Sequence, residues 1–186
     1  VTDVSTLRKV NQDFNNFQSA GYQIIAQTAY VSLIEIAKIR KNYTILINGA
    51  AGGVGSAALQ LAKFNGNKTI AIVSSKEKAE FARKCGADYI IRQKENFIQK
   101  VKSITKNKGV DVIYDPVGGK QFNDLLRCAR WGAKILIIGF ASGSFSKFST
   151  NYTLIKGLSV YGVRAGEYLK QYPNRKRTIL NSIENL

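Results

Sequence analysis

The sequence contains no histidine and no methionine, and only two cysteines, two prolines and one tryptophan in 186 residues. Without histidine the commonest side-chain general acid or base is missing. Two thiols, Cys85 and Cys128, cannot complete the usual four-ligand zinc sites without imidazoles, and no carboxylate cluster compensates, so no metal is expected. Two cysteines are also too few for a disulfide framework. No run approaches the ~18 uninterrupted apolar residues of a membrane helix. The start, Val1-Thr2-Asp3-Val4, lacks the basic-then-apolar pattern of a secretory signal, and a cytoplasmic location is the expectation. Without an initiator methionine, the start is expected to be processed or to be a boundary within a longer chain.

Acidic residues are scarce as well: 12 Asp and Glu stand against 28 Lys and Arg, a net charge of +16. Such an excess raises the question of a polyanion partner such as nucleic acid. The lysines are scattered, however, and only Asn174-Arg175-Lys176-Arg177 forms a short cluster. Scatter of this kind fits a general bias toward Lys, Asn and Ile better than a dedicated nucleic-acid surface.

What the sequence does have is alternation. Residues 1–25 are polar and weakly patterned and read as a connector into a domain spanning 26–186. Ala26, Ala29, Tyr30, Leu33, Ile36 and Ala37 recur in steps of three and four, which predicts a helix from Ala26 to Ile39. Short apolar, β-branched runs at 44–47, 69–73, 88–91, 110–114, 134–138 and 158–163 then read as six strands. Helical stretches at 53–64, 76–85, 96–105 and 120–130 separate the first five. Short strands alternating with helices of about ten residues predict βαβ units. Continuously apolar strands predict a sheet covered on both faces. The expected fold class is therefore α/β: a Rossmann-type, doubly wound, parallel six-stranded sheet.

The first strand runs into Asn48-Gly49-Ala50-Ala51-Gly52-Gly53-Val54-Gly55-Ser56, and a helix follows at once. A dinucleotide fingerprint needs a tight turn, close backbone approach to a pyrophosphate and close helix–strand packing. Ala50, Gly52 and Gly55 occupy those three positions. Amides near Gly53 and Val54 would face the phosphates from the helix N-terminus.

The second strand ends in Val73-Ser74-Ser75-Lys76-Glu77-Lys78, where an NAD site usually presents an acid to the ribose hydroxyls. Ser74 and Ser75 could instead donate to a 2′-phosphate, with Lys78 one turn into the next helix. Arg92, after the third strand, is a second cationic neighbour. Glu77 argues the other way unless it serves the helix dipole. On balance NADP(H) is expected over NAD. Ligands in such sheets lie beyond the carboxyl ends of the strands. The Gly-rich loops there, with Val117 and Gly118 after strand four and Gly139, Phe140 and Ala141 after strand five, are candidates for the nicotinamide half.

Several segments in order resemble the medium-chain dehydrogenase/reductase superfamily, in its zinc-independent quinone oxidoreductase (zeta-crystallin-like) branch. They are Ile47 to Lys63, Cys85-Gly86-Ala87-Asp88, Tyr114-Asp115-Pro116-Val117-Gly118-Gly119, Trp131-Gly132-Ala133-Lys134, Gly139-Phe140 and, ahead of the first strand, Thr28-Ala29-Tyr30. The resemblance covers most of residues 25–165. It implies a cofactor domain preceded by a GroES-like catalytic domain, with a C-terminal return to that domain, neither of which these residues supply. It implies that Thr28 lies near the nicotinamide and that Ser74 and Lys78 bind the 2′-phosphate. Arg92 stands where the branch often has Tyr. It also implies homodimers through the sheet edge near Tyr161-Gly162-Val163.

The activity so implied is hydride transfer from NADPH to a quinone or another electron-poor alkene or carbonyl. The substrate contacts would come mostly from outside this chain, so no catalytic residue is assigned. An enoyl or alkenal reductase on the same scaffold is the alternative within the enzymes. A basic dinucleotide domain that binds RNA without catalysis is the alternative outside them, disfavoured because no aromatic–basic RNA motif is present.

Overall fold

The computed structural model describes residues 13–184. Its strands are β1 (Thr44–Asn48), β2 (Lys68–Val73), β3 (Tyr89–Arg92), β4 (Val110–Asp115), β5 (Ala129–Ile137) and β6 (Ser159–Gly162). They form one sheet in the order β3-β2-β1-β4-β5-β6. Every pairing is parallel. The sheet is therefore the doubly wound Rossmann arrangement expected from the alternation, with the order reversing between β1 and β4.

Side chains alternate across each strand, and both faces are filled. Ile45 and Ile47 of β1 pack with Leu59, Ala62, Leu33 and Ala37 on one side. Leu46 packs with Ile70, Phe97, Val101, Phe122 and Leu125 on the other. The helices that supply these covers are α1 (Asn16–Tyr30), α2 (Gly53–Phe64) and α3 (Lys76–Lys84) on the first face. On the second are α4 (Phe97–Ile104) and α5 (Phe122–Cys128). Three further helices follow: α6 (Asn151–Lys156), α7 (Ala165–Gln171) and α8 (Pro173–Glu184).

The first helix begins ten residues before Ala26, inside the stretch expected to be a connector. Asn15 and Gln18 form a capping box: the Asn15 side chain accepts from the Gln18 amide and the Gln18 side chain from the Asn15 amide, each at 2.9 Å. The same helix does not continue regularly to Ile39. It widens into a π-helical turn at Val31–Ile36, where the Ala37 amide donates to the Ser32 carbonyl at 2.9 Å. The expected apolar face survives the change, since Ala29, Leu33 and Ala37 are all buried.

The junction between α5 and β5 differs as well. Helix α5 stops at Cys128 rather than Arg130, and β5 starts at Ala129 rather than Lys134. The extra residues form an irregularity: Val110 pairs with Ala129, but Val112 pairs with Lys134. Beyond β6 a third, small core gathers Val31, Ala165, Leu169, Ile179, Leu180 and Ile183, which docks α7 and α8 against the π-helical turn.

Candidate functional site: a cleft at the carboxyl ends of the strands

A cleft of about 720 Å³ opens where β1 and β4 diverge, at the carboxyl ends of the strands. Its floor is the turn after β1. Gly52 is the N-cap of α2 in extended backbone, and no side chain caps the helix. An α-helix leaves its first amides without intrahelical partners and carries partial positive charge there. Gly52, Gly53 and Val54 all line the cleft, so that end of α2 faces it.

The two flanking glycines do different work. A Cβ at Gly55 would lie 2.4 Å from the Gly49 carbonyl oxygen and 2.9 Å from the Ala50 Cα. That position packs α2 onto β1, beneath the cleft and not in its lining; Ala50 is likewise fully buried. A Cβ at Gly52 would meet only the Gly49 oxygen, at 3.4 Å. The turn itself therefore tolerates a methyl at Gly52, and the space it would fill belongs to the cleft. Backbone exposed at an uncapped helix start, with free space in front of it, fits a pyrophosphate.

One buried carboxylate organises the opposite wall. Asp115, at the end of β4, is 1% exposed. It accepts from the Asn48 side-chain amide at 2.9 Å, from the Val117 amide at 3.0 Å and from the Gly118 amide at 3.2 Å. The Pro116 carbonyl then accepts from the Ala141 amide at 3.0 Å, and the Val117 carbonyl from the Ser142 amide at 2.9 Å. The loops after β4 and β5 are thus laced into one wall, and Val117, Gly139, Phe140 and Ala141 line the cleft. Gly118 lies just behind, against the Phe140 ring and Ser144.

At the end of β2 the Lys78 ammonium donates to the Ser74 hydroxyl at 3.0 Å, and both residues line the cleft. Ser75 is outside the lining. Its hydroxyl oxygen accepts from the Lys78 amide as the N-cap of α3. The Ser75 hydroxyl and the backbone at Glu77 also hold the Glu77 carboxyl below the usual carboxylate range. Glu77 thus serves the start of α3, consistent with the helix-dipole reading. Arg92 is outside the lining too, and pairs with Glu95 at 3.6 Å. Gln93, one residue on, takes its place, with its side-chain amide donating to Gln121 at 2.9 Å.

The far end of the cleft is bounded by Thr28, Ile138, Val163, Ala165 and Gly166. The Thr28 hydroxyl donates to the Ile24 carbonyl at 2.8 Å, which holds the side chain along its own helix. Gln93, Asn48, Val163, Ala165 and Gly166 had no place in the sequence-derived site. The last three follow β6 directly, so the rule that ligands lie beyond the carboxyl ends of strands extends to them. Gln93 carried no comparable signal.

Among the described residues no three His, Cys, Asp or Glu side chains come together as a metal site. Cys128 is buried on α5, and Cys85 sits at the end of α3. Among the described residues no helix is long and apolar enough to cross a membrane.

Residues 53–184 match the family described as zinc-binding dehydrogenase. A quinone oxidoreductase-like protein 2 homolog of Nematostella vectensis is 33% identical over 174 residues, 93% of this chain and 48% of that protein. A 2-haloacrylate reductase of a Burkholderia species is 36% identical over 132 residues, 70% of this chain and 40% of that protein. The structure of Escherichia coli quinone oxidoreductase complexed with NADPH superposes with a TM-score of 0.84 at 28% identity, covering 96% of this chain and 54% of that one. The chain thus spans about half the length of the curated relatives it matches. With this sheet order, this glycine turn and these matches, the chain belongs to the medium-chain dehydrogenase/reductase superfamily, in its quinone oxidoreductase-like branch, and corresponds to the cofactor-binding domain of that family.

Proposed function

We propose that this chain binds NADP(H) in the cleft and forms the cofactor domain of a reductase acting on quinones or other electron-poor double bonds. The observation that carries the reading is the uncapped start of α2 on the cleft floor, with the Ser74–Lys78 pair at one end of the same cleft. Amides at Gly53 and Val54 hold the pyrophosphate, and Gly52 leaves it room. Ser74 and Lys78 hold the 2′-phosphate. No carboxylate lines that end of the cleft to repel it. Ser75 contributes by fixing the α3 start, and Arg92 adds positive potential from nearby.

This places the adenosine half at Ser74, Lys78 and Gln93. The nicotinamide half then lies along Val117, Gly139, Phe140 and Ala141 toward Thr28. NADPH, when bound, supplies the hydride. The residues of this chain orient the ring and keep water from one of its faces. Val117, Ile138 and Phe140 give that wall its apolar character, and the backbone lacing through Asp115 keeps it rigid.

Relatives about twice the length of this chain support a two-domain enzyme in which a separate catalytic domain meets the substrate. Both quinone and 2-haloacrylate reductases occur among the relatives, which supports an acceptor with an electron-poor double bond and leaves the quinone and the enoyl or alkenal as two members of one class. Pairing through β6, the last strand of the sheet, is the expected route to a homodimer.

Calorimetric titration with NADPH and NADH, side by side, tests the reading. Tight NADPH binding with much weaker NADH binding is the expected result. Equal affinity for the two would remove the assignment of the 2′-phosphate site, and binding of neither would remove the function.

A further inference from the structure

Glu35 is a buried carboxylate with no part in the cofactor site just described. It sits on the π-helical turn, and its side chain is 6% exposed. Arg175 of α8 grips it from two directions: one guanidinium nitrogen lies 2.8 Å from Oε2, and another donates to Oε1 at 3.2 Å. The Tyr168 hydroxyl of α7 donates to Oε2 at 3.1 Å. A single carboxylate therefore fastens both C-terminal helices to the turn that continues α1.

Those helices contribute to the cleft. Ala165 and Gly166, the first residues of α7, line the same cleft as Thr28 of α1. Tyr168 lies one turn further along α7, and Glu35 two turns beyond Thr28. The apolar core beneath this junction is small. A two-pronged guanidinium–carboxylate contact is directional where apolar packing is not, so the buried Glu35 carboxylate, met by the half-exposed Arg175 and by Tyr168, can fix one seating of α7 among several of similar energy.

We propose that Glu35, held by Arg175 and Tyr168, is a positioning residue for the nicotinamide end of the cleft, setting the distance between the start of α7 and Thr28. The proposal rests on the reading of the cleft as an NADP(H) site. It deepens that reading by assigning the geometry of one end to a clamp that touches no ligand. The adenosine end, built on β2, α3 and β3, is independent of it.

The test compares two ligands on the same variants. NADPH spans the whole cleft, whereas 2′,5′-ADP occupies only the adenosine and 2′-phosphate end. Arg175→Ala strands the Glu35 charge; Glu35→Gln removes it while keeping the shape and a hydrogen-bond acceptor for Tyr168. Both should weaken NADPH about tenfold and change 2′,5′-ADP by less than about twofold, with Arg175→Lys, which keeps the charge but not the two-pronged contact, recovering only part of the NADPH affinity. Equal losses for both ligands, or no loss for either, would overturn the clamp's positioning role. A wild-type chain that binds 2′,5′-ADP and NADPH normally isolates such a failure to the clamp. A wild-type chain that binds neither overturns the cofactor reading itself.

Discussion

Asn48 and Asp115 join the ends of β1 and β4 through a buried hydrogen bond of 2.9 Å, across the point where the strand order reverses. The two strands diverge there to open the cleft, and the same carboxylate goes on to fix the next two backbone amides. Replacing Asp115 with Ala would leave two buried donors and one part-buried donor without their acceptor. The expected cost is about 2–4 kcal/mol of folding stability, measured by urea denaturation, with Asn48→Ala costing less because the carboxylate keeps its backbone partners. A loss from Asp115→Ala below that from Asn48→Ala would contradict this organisation.

The two glycines of the turn should respond differently. Gly55→Ala drives a methyl against the Gly49 carbonyl, so it should lower stability by about 2 kcal/mol whether or not ligand is present. Gly52→Ala finds only ordinary contact with the protein. Its melting temperature should stay near wild type while NADPH affinity falls. Thermal melts with and without NADPH separate the two effects.

Lys78 should decide the cofactor. Lys78→Ala should weaken NADPH roughly tenfold, about 1.4 kcal/mol, and leave NADH almost unchanged. The difference should shrink as ionic strength rises, since the group is solvent-accessible. An equal loss for both cofactors would place Lys78 on the pyrophosphate instead.

Burial pushes the Cys128 thiol up to about 12, with Lys156 acting in the opposite sense. The unfolded thiol ionises near its ordinary value of about 8.5. Between these limits the unfolded chain loses a proton that the folded chain keeps. Stability from this group is therefore complete below pH ~8.5 and falls as pH rises toward 12. Cys128→Ala should flatten the alkaline limb of the stability–pH curve. Alkylation at pH 8 should find Cys85 before Cys128, because Cys85 is only half-buried.

Much of this was legible in the chain. The apolar runs and their spacing gave the sheet and its covering helices, because a strand buried on both faces is apolar along its middle, as Ile45–Ile47 of β1, Ile70–Val73 of β2 and Val112–Tyr114 of β4 are. Edge strands β3 and β6 keep exposed residues and were legible mainly from their place in the alternation. The start of α1 was missed although Asn15 and Gln18 stand at capping-box spacing. The early turns of that helix stay largely exposed, Phe17 among them, whereas its later turns pack against α2. The end of α5 was misplaced because Ala129 to Trp131 carry no strong punctuation before Gly132.

By itself the sequence determined the fold class, the glycine turn at Gly52–Gly55 and the serines that stand directly after β2 in place of an acid, because each depends on local residue type at fixed spacing. Tertiary structure alone decided that Gln93 rather than Arg92 lines the cleft, that Asp115 laces two loops, and that Glu35 meets Arg175 across 140 residues. The physical reason is directional: side chains distant in sequence choose partners by where packed elements point them, as Glu35 and Arg175 do between the turn that continues α1 and α8.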